Sequence, residues 1–381
     1  MNVLLLVAER LSAERFAAAK AGRIPTLNCD ALAGAIRATW HGKADILDRS
    51  AAEKSGNWFV KLVYRFAGAA SAVALLGFLH CRHYDAVFSQ SSDIGRRLAL
   101  LLALLPKRPR HVCQAFCVTA GHPRLWFGLV RVQRQIDTII FFSRQQYTAA
   151  RDDLRLPPAK LVLLENGIVD TDFFRPMREP AENDRQLCAV GREHRDYPTL
   201  VAAVAALPQL TLKLDSGSPA SHQADSAAPL VLPPNVESCR LPMGGVWQIY
   251  AESAVVAVPL YPNLVDAGLS TVLEAMAMAK AVVTTRSADG TYGGRPIVDG
   301  ETALLVDIGD VDGWRAALTR LFADPALRRR LGENARRWIE RHAARRDALA
   351  IIMGALRGAA AGNIAPAARL ASETGEGAPT A

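Results

Sequence analysis

Asp266 and Glu274 stand on either side of Gly268 with seven residues between the two carboxylates. Ahead of them, the apolar run Ala254 to Val258 is rich in β-branched residues and predicts a buried strand ending at Pro259. Beyond Gly268, the residues Leu269, Val272, Leu273, Met276 and Ala277 recur at helical spacing, and Ala281 to Thr285 reads as the next strand. A helix entered from a loop points unpaired backbone N–H groups and a positive dipole end at whatever lies over that loop, which suits a phosphate. Glu274 then lies about two turns into the helix and Asp266 on its entry loop. One carboxylate can face a sugar while the other accepts paired ribose hydroxyls.

A helix with one acidic residue says little alone; the order of the whole run says more. From Pro259 to Val306 it resembles the donor-site signature of glycosyltransferase family 4, whose members usually show two glutamates at this spacing, then EAMA and a small-residue step into a strand. Here Asp266 stands for the first glutamate and Glu274-Ala275-Met276-Ala277 matches as it stands. The pattern continues through Ile297-Val298-Asp299-Gly300 and Leu304-Leu305-Val306. A second landmark runs from Asn166-Gly167-Ile168-Val169-Asp170 to Phe174 and Pro176, and resembles, with one insertion-like shift, the family's NGVD-x-x-x-F-x-P crossing between domains. The third is Gly191-Arg192: the family usually has glycine–arginine here and a lysine several residues on, both directed at the diphosphate. Arg192 matches, and Arg195 is offset from that lysine. Arginine suits the task because its planar fork holds two phosphate oxygens without deprotonating.

The resemblance implies an α/β GT-B architecture, two doubly wound Rossmann-like domains facing a central cleft. It implies a retaining transferase that moves a sugar from a nucleotide-diphosphate sugar to a hydroxyl acceptor. Donor binding would fall to Gly191, Arg192, Arg195, Asp266, Gly268, Leu269, Ser270 and Glu274. Catalysis would draw on Arg192, Arg195, Asp266 and also His122, since several members place a histidine after a strand of the first half, near sugar and acceptor. No cofactor is expected besides the donor substrate, and no metal. Asp170-Thr171-Asp172 looks like the metal-binding aspartates of another transferase class, but it belongs to the crossing motif. Two rivals remain. A GT-B sugar epimerase should show further acidic and histidine residues converging on the sugar. A non-catalytic sugar-nucleotide-binding relative is favoured by Asp266, the offset Arg195 and the lack of a glycine-rich loop after the first strand. A plain dehydrogenase is disfavoured, because no GxGxxG follows a strand.

At 381 residues the chain is too long for one ordinary core. The alternation of strands and helices divides it into a Rossmann-like domain at 1–176, a linker at 177–186 and a second such domain at 187–342; the resemblance implies that the first is the acceptor side and the second binds the nucleotide sugar. A helix over 343–361 returns to the first domain in the family's fold, and 362–381 reads as a disordered tail. Six scattered cysteines show no four-ligand zinc spacing and read as reduced thiols. The start, MNVLLLVAER, reads as a strand and not as a signal peptide. These point to a cytoplasmic protein.

The net charge is +8, and residues 1–176 hold 24 Lys and Arg against 14 Asp and Glu. The basic excess therefore lies entirely in the first half. A solvated arginine-rich surface explains it, as does an anionic acceptor or an anionic membrane surface; nucleic acid is not expected, for no recognition motif accompanies the charge. Trp58 to Leu79 is apolar and aromatic, but its uninterrupted run from Phe66 is shorter than the roughly 18–20 residues of a span. Arg124 to Ile136 reads as a basic amphipathic helix, the form of an interfacial anchor and equally of a surface helix packed on a sheet. Peripheral attachment to the inner face of a membrane, serving a lipid-linked acceptor or a glycan precursor, is one expectation; a small or soluble acceptor is the other. Arg23 is a further candidate contact for acceptor or diphosphate.

Overall fold

The computed structural model describes residues 1–118, 122–164, 168–177, 183–215, 231–263, 267–286 and 297–358; of residues 122–124 only the backbone is described. The chain forms two units, one of residues 1–21, 26–165 and 346 onward, the other of residues 22–25 and 166–345.

The first unit holds β1 (Val3–Leu6), β2 (Ala44–Leu47), β3 (Ala86–Ser89), β4 (Arg110–Ala115), β5 (Thr138–Phe141) and β6 (Leu161–Leu163). All neighbours pair in parallel, in the order β2-β1-β3-β4-β5-β6. Its helices are α1 (Ala13–Lys20), α2 (Asn28–Trp40), α3 (Arg49–Glu53), α4 (Trp58–His80), α5 (Ser92–Leu102), α6 (His122–Gly128) and α7 (Arg144–Asp152). The second unit holds β7 (Asn183–Val190), β8 (Thr211–Asp215), β9 (Val236–Ser238), β10 (Ser253–Val258), β11 (Ala281–Thr285) and β12 (Leu304–Val306). These too are parallel, ordered β12-β11-β10-β7-β8-β9. Its helices are α8 (Tyr197–Ala205), α9 (Gly245–Glu252), α10 (Leu269–Ala277), α11 (Val311–Ala323) and α12 (Pro325–His342); α13 (Arg345–Arg357) follows, and residues from 346 cluster with the first unit.

Continuous apolar runs form these strands because helices cover both faces of a parallel sheet. Every residue of β1, β3, β5, β10 and β11 is buried. In each sheet the strand order reverses once, between β1 and β3 in the first and between β7 and β10 in the second. Such a reversal splays the loops beyond the carboxyl ends of two adjacent strands and opens a crevice there.

Three elements differ from the sequence reading. β7 starts at Asn183, inside the stretch read as linker, because Gln186 donates to Ser253 Oγ (3.1 Å) and Asp184 pairs with Arg328 (2.7 Å). Polar partners extend that strand past its apolar run. The helix expected over Arg124–Ile136 is broken: α6 ends at Gly128 and a 3₁₀ turn occupies Val132–Gln135. Arg131 between them takes a left-handed conformation (φ 56°), which no helix can pass through. Leu125 and Leu129 are consequently exposed while Val132 and Ile136 are buried.

The third is α4, which is kinked at Gly68 (φ 81°, ψ 171°), a backbone geometry open to glycine. After the kink, Ala72 to Gly77 is buried in the first unit's core. Before it, Trp58, Phe59, Leu62 and Phe66 are exposed. By length and composition the helical stretch 58–83 is long and apolar enough to cross a bilayer, but its core half is already occupied by packing against the sheet.

Candidate active site

The crevice of the second unit is built from two loops. One follows β7 and carries Gly191 to Asp196; the other follows β10 and runs from Pro259 toward α10. Backbone bonds join them: Asp196 N–H donates to Pro259 O (3.1 Å), Tyr261 N–H to His194 O (3.0 Å), and Arg195 bridges to Leu260 in antiparallel fashion. The turn that permits this puts Gly191 at φ 115° and His194 at φ 54°. Leu260 N–H donates to Thr285 Oγ1 (2.9 Å), so β11 anchors the second loop from beneath.

α10 begins at the junction. Gly268 is its N-cap in a left-handed conformation (φ 87°), and among the described residues no side chain caps the helix. The first N–H groups of the helix, on Leu269 and Ser270, therefore face outward as an anion-binding end. Ser270 is exposed and Leu269 half-buried. Apolar residues at Val272, Leu273, Met276 and Ala277 seat α10 on the sheet. Arg336, from α12, holds its far end through a bond from Nη1 to Ala277 O (2.6 Å).

Arg195 lies under this helix end and is 3 % exposed. Its Nη2 donates to Thr271 Oγ1 (3.0 Å), Nη1 to Glu193 O (2.8 Å) and Nε to Val190 O (3.2 Å). A Cβ at position 191 would come within 2.4 Å of that guanidinium, so only glycine lets it lie flat against the loop. Arg195 thus ties the loop after β7 to the first turn of α10. Arg192, on the same loop, is exposed and has no ion-pair partner among the described residues. The two arginines divide the work: one locks the crevice, the other offers its fork to the solvent side.

Glu274 is half-buried on α10, with Tyr250 Oη donating to its Oε2 (3.3 Å). Burial pushes the carboxyl up from 4.5 to about 7, and the Tyr250 hydrogen bond only partly opposes that. A carboxylate held in so dry a setting gains strongly from any ligand hydroxyl that donates to it. Tyr250 is itself fully buried, and desolvation raises its phenol well above the ordinary value, so it remains a donor.

The structure therefore brings Gly191, Arg192, Arg195, Gly268, Leu269, Ser270 and Glu274 to one unit, on the loops that follow the two central strands β7 and β10 and on α10. Asp266 lies outside the described residues, as does the side chain of His122. Tyr250 and Thr271 were not identified from the sequence; a lone tyrosine on a short helix and a threonine in a first turn carry no local signal. Asp170, read from the crossing motif, pairs with Arg345 (2.7 Å) and caps the turn at Phe173 N–H (3.3 Å). Among the described residues no three His, Cys, Asp or Glu side chains are grouped to hold a metal ion.

Residues 185–324, which contain this crevice, match the family model described as Glycosyl transferases group 1. Solved glycosyltransferase structures are similar in fold over most of the chain. A glycosyltransferase from Rickettsia africae gives a TM-score of 0.67 at 13% identity, covering 93% of this chain and 98% of that one. Anabaena HepE, in complex with UDP and glucose, gives 0.65 at 13% identity over 94% and 99%. The fold is GT-B. Among curated proteins, a MMP alpha-(1->4)-mannosyltransferase of Mycolicibacterium hassiacum is 30% identical over 232 residues, 56% of this chain and 53% of the relative. A lipopolysaccharide core biosynthesis glycosyltransferase, LpsE of Rhizobium meliloti, is 33% identical over 178 residues, 46% of this chain and 47% of the relative. The chain spans about half the length of the curated relatives it matches.

Proposed function

We propose that the protein transfers a sugar from a nucleotide-diphosphate sugar to a hydroxyl acceptor, using the crevice between β7 and β10 as its donor site. The observation that carries this is the pairing, on one helix, of an uncapped N-terminus at Gly268 with a half-buried carboxylate at Glu274. An anionic diphosphate suits the first and a ribose diol the second, and α10 fixes their separation. HepE is described in complex with UDP-glucose, and a donor of the same chemical class is proposed here.

In this reading the difficult event is departure of a nucleoside diphosphate from a cation-like sugar carbon. Arg192 and the N–H groups of Leu269 and Ser270 would oppose the growing negative charge, and Arg195 would hold them in register. Preorganised donors of this kind need not reorganise as the bond breaks. The resemblance to glycosyltransferase family 4 supports retention of configuration by same-face attack of the acceptor. Charge stabilisation by these groups, with Asp170 already engaged by Arg345, supports a metal-independent reaction. Release of nucleoside diphosphate from a panel of UDP-, GDP- and ADP-sugars, in chelator, tests both points. Release from one donor is expected; release from none, or release that requires added magnesium or manganese, would count against the reading.

A lipid-linked acceptor and peripheral attachment on the cytoplasmic side belong to the same proposal. Their support is the exposed face of α4, where Trp58 and Phe66 are 74% and 77% exposed beside Lys61 and Arg65. Amphipathic aromatic rings with flanking cations suit a headgroup boundary, each basic residue adding about 1 kcal/mol near an anionic surface. The full chain is expected to sediment with anionic vesicles at low salt and to release at high salt. Trp58→Ser combined with Phe66→Ser should weaken that sedimentation several-fold. Equal sedimentation with neutral vesicles, or none with either, would remove the membrane from the proposal.

A further inference from the structure

At the amino-terminal ends of β5 and β6 the first unit carries a cavity of about 380 Å³. The 3₁₀ turn Val132–Gln135 leads into β5, and a second, Pro158–Lys160, leads into β6. Catalytic crevices of doubly wound sheets lie at the carboxyl ends of strands, so this cavity is not part of such a crevice. It also belongs to a different unit from α10.

Arg131, Arg134, Arg155 and Lys160 line it, with no acidic residue among the lining side chains. Among the described residues none of the three arginines has a carboxylate partner, although Asp152 is nearby in sequence and pairs with Arg151 instead. Lys160 Nζ donates to Gln133 O (2.9 Å) and Ile136 O (2.7 Å), which fastens the two 3₁₀ turns together. Asp137 lies within electrostatic reach of Lys160, but the three exposed arginines gather positive charge without a paired carboxylate, and an anion would balance it.

Two of these arginines are also conformationally unusual. Arg131 (φ 56°) and Arg155 (φ 51°) both sit in the left-handed region, where a long side chain is uncommon and glycine or asparagine would be easier. Strain of this kind persists where the surrounding structure holds a residue to a task. A third feature is Gln133, whose side-chain oxygen is buried in the cavity wall without a hydrogen-bond partner. It needs a donor, which a hydroxyl on the ligand's carbon frame supplies and a fully ionised anion such as sulfate does not. Phe127 and Leu154 give the remaining lining an apolar part.

We infer that this cavity binds a phosphate ester that carries a neighbouring hydroxyl, such as a phosphorylated polyol. The arginine forks would take the phosphate oxygens in pairs. The hydroxyl would donate to Gln133 Oε1, and the carbon frame would lie against Phe127 and Leu154. The same chemistry is offered by a soluble phosphate ester and by the headgroup of a glycerophospholipid. Leu125, Leu129 and Val130, exposed on the segment that supplies Arg131, would suit the second source.

The test uses the full chain with glycerol 3-phosphate by calorimetry, with inorganic phosphate as a comparison, and phosphatidylglycerol vesicles in a separate arm. The variant is Arg134→Gln with Arg155→Gly, which removes two cations and gives position 155 a residue suited to its backbone. Glycerol 3-phosphate is expected to saturate one site and to bind more tightly than inorganic phosphate, and the variant to weaken it at least ten-fold. The melting midpoint of the variant should equal or exceed that of the parent, a result that a purely structural role for Arg155 would not give. If the vesicles are retained and the soluble ester is not bound, and the variant lowers retention ten-fold, the source is a lipid headgroup. Absence of binding in both arms, or equal binding by parent and variant, would overturn the inference.

Discussion

Glu274→Gln is expected to weaken binding of the nucleotide-sugar donor by about 10- to 150-fold, the equivalent of roughly 1.5–3 kcal/mol for a hydrogen bond to a charged group. The amide keeps the shape of the side chain but cannot accept two ribose hydroxyls as a carboxylate does. Titration makes the effect specific. With its folded carboxyl at about 7 against an ordinary 4.5, Glu274 binds a proton more readily in the folded chain than in the unfolded one. Between those values the unfolded state holds fewer protons, so stability from this group falls as pH rises through the window. The Gln variant lacks that fall and should melt at or above the parent at pH 8. Donor affinity should run the other way. Hydroxyls that donate to the carboxylate favour its ionised form, so parent affinity rises from pH 5 to about 7 and then levels, while the variant's profile is flat. Isothermal titration across that range, with circular-dichroism melts of the same samples, measures both. Equal affinity and equal pH profiles in parent and variant would make Glu274 a structural residue of α10.

How far this site was legible in the sequence depended on the range of the interactions. α10 and its flanking strands were readable because apolar periodicity is local: the residues that bury β10, β11 and the inner face of α10 announce their own spacing. The partners of the site were not readable. Tyr250 reaches Glu274 across 24 positions and Thr271 reaches Arg195 across 76, and no local pattern encodes either meeting. The resemblance directed Arg195 at a diphosphate, whereas its guanidinium is engaged by Val190, Glu193 and Thr271. The break at Arg131 was hidden for a related reason. Periodicity weighs the apolar stripe from Leu125 to Ile136 and is blind to a single left-handed residue within it. α4 shows the complementary case, in which Gly68 divides a continuous apolar run into a core half and an exposed half.

Arg192 and Arg195 should separate in their effects, and that separation tests the arrangement of the crevice more sharply than either alone. From a buried position Arg195 donates to two carbonyl oxygens, of Val190 and Glu193, and to Thr271 Oγ1, among its contacts. Arg195→Lys keeps the charge but replaces a planar fork with one ammonium, which cannot reach all three acceptors. About 2–3 kcal/mol of stability should be lost through the acceptors left unpaired, and turnover should fall with it because the first turn of α10 loses its tie to the loop after β7. Arg192 is exposed and unpaired among the described residues, so Arg192→Gln should leave the melting midpoint unchanged. Its loss is expected in the reaction, at about 100- to 1000-fold in kcat, the scale seen when one preorganised donor is removed from a developing negative charge. Donor KM should move much less, since the contact strengthens as the diphosphate departs. Steady-state kinetics with the donor identified by nucleoside diphosphate release, alongside thermal melts, distinguishes the two. An Arg192→Gln enzyme that turns over like the parent would place the departing phosphate elsewhere, and an Arg195→Lys chain as stable as the parent would show that the loop and α10 are held together by other contacts.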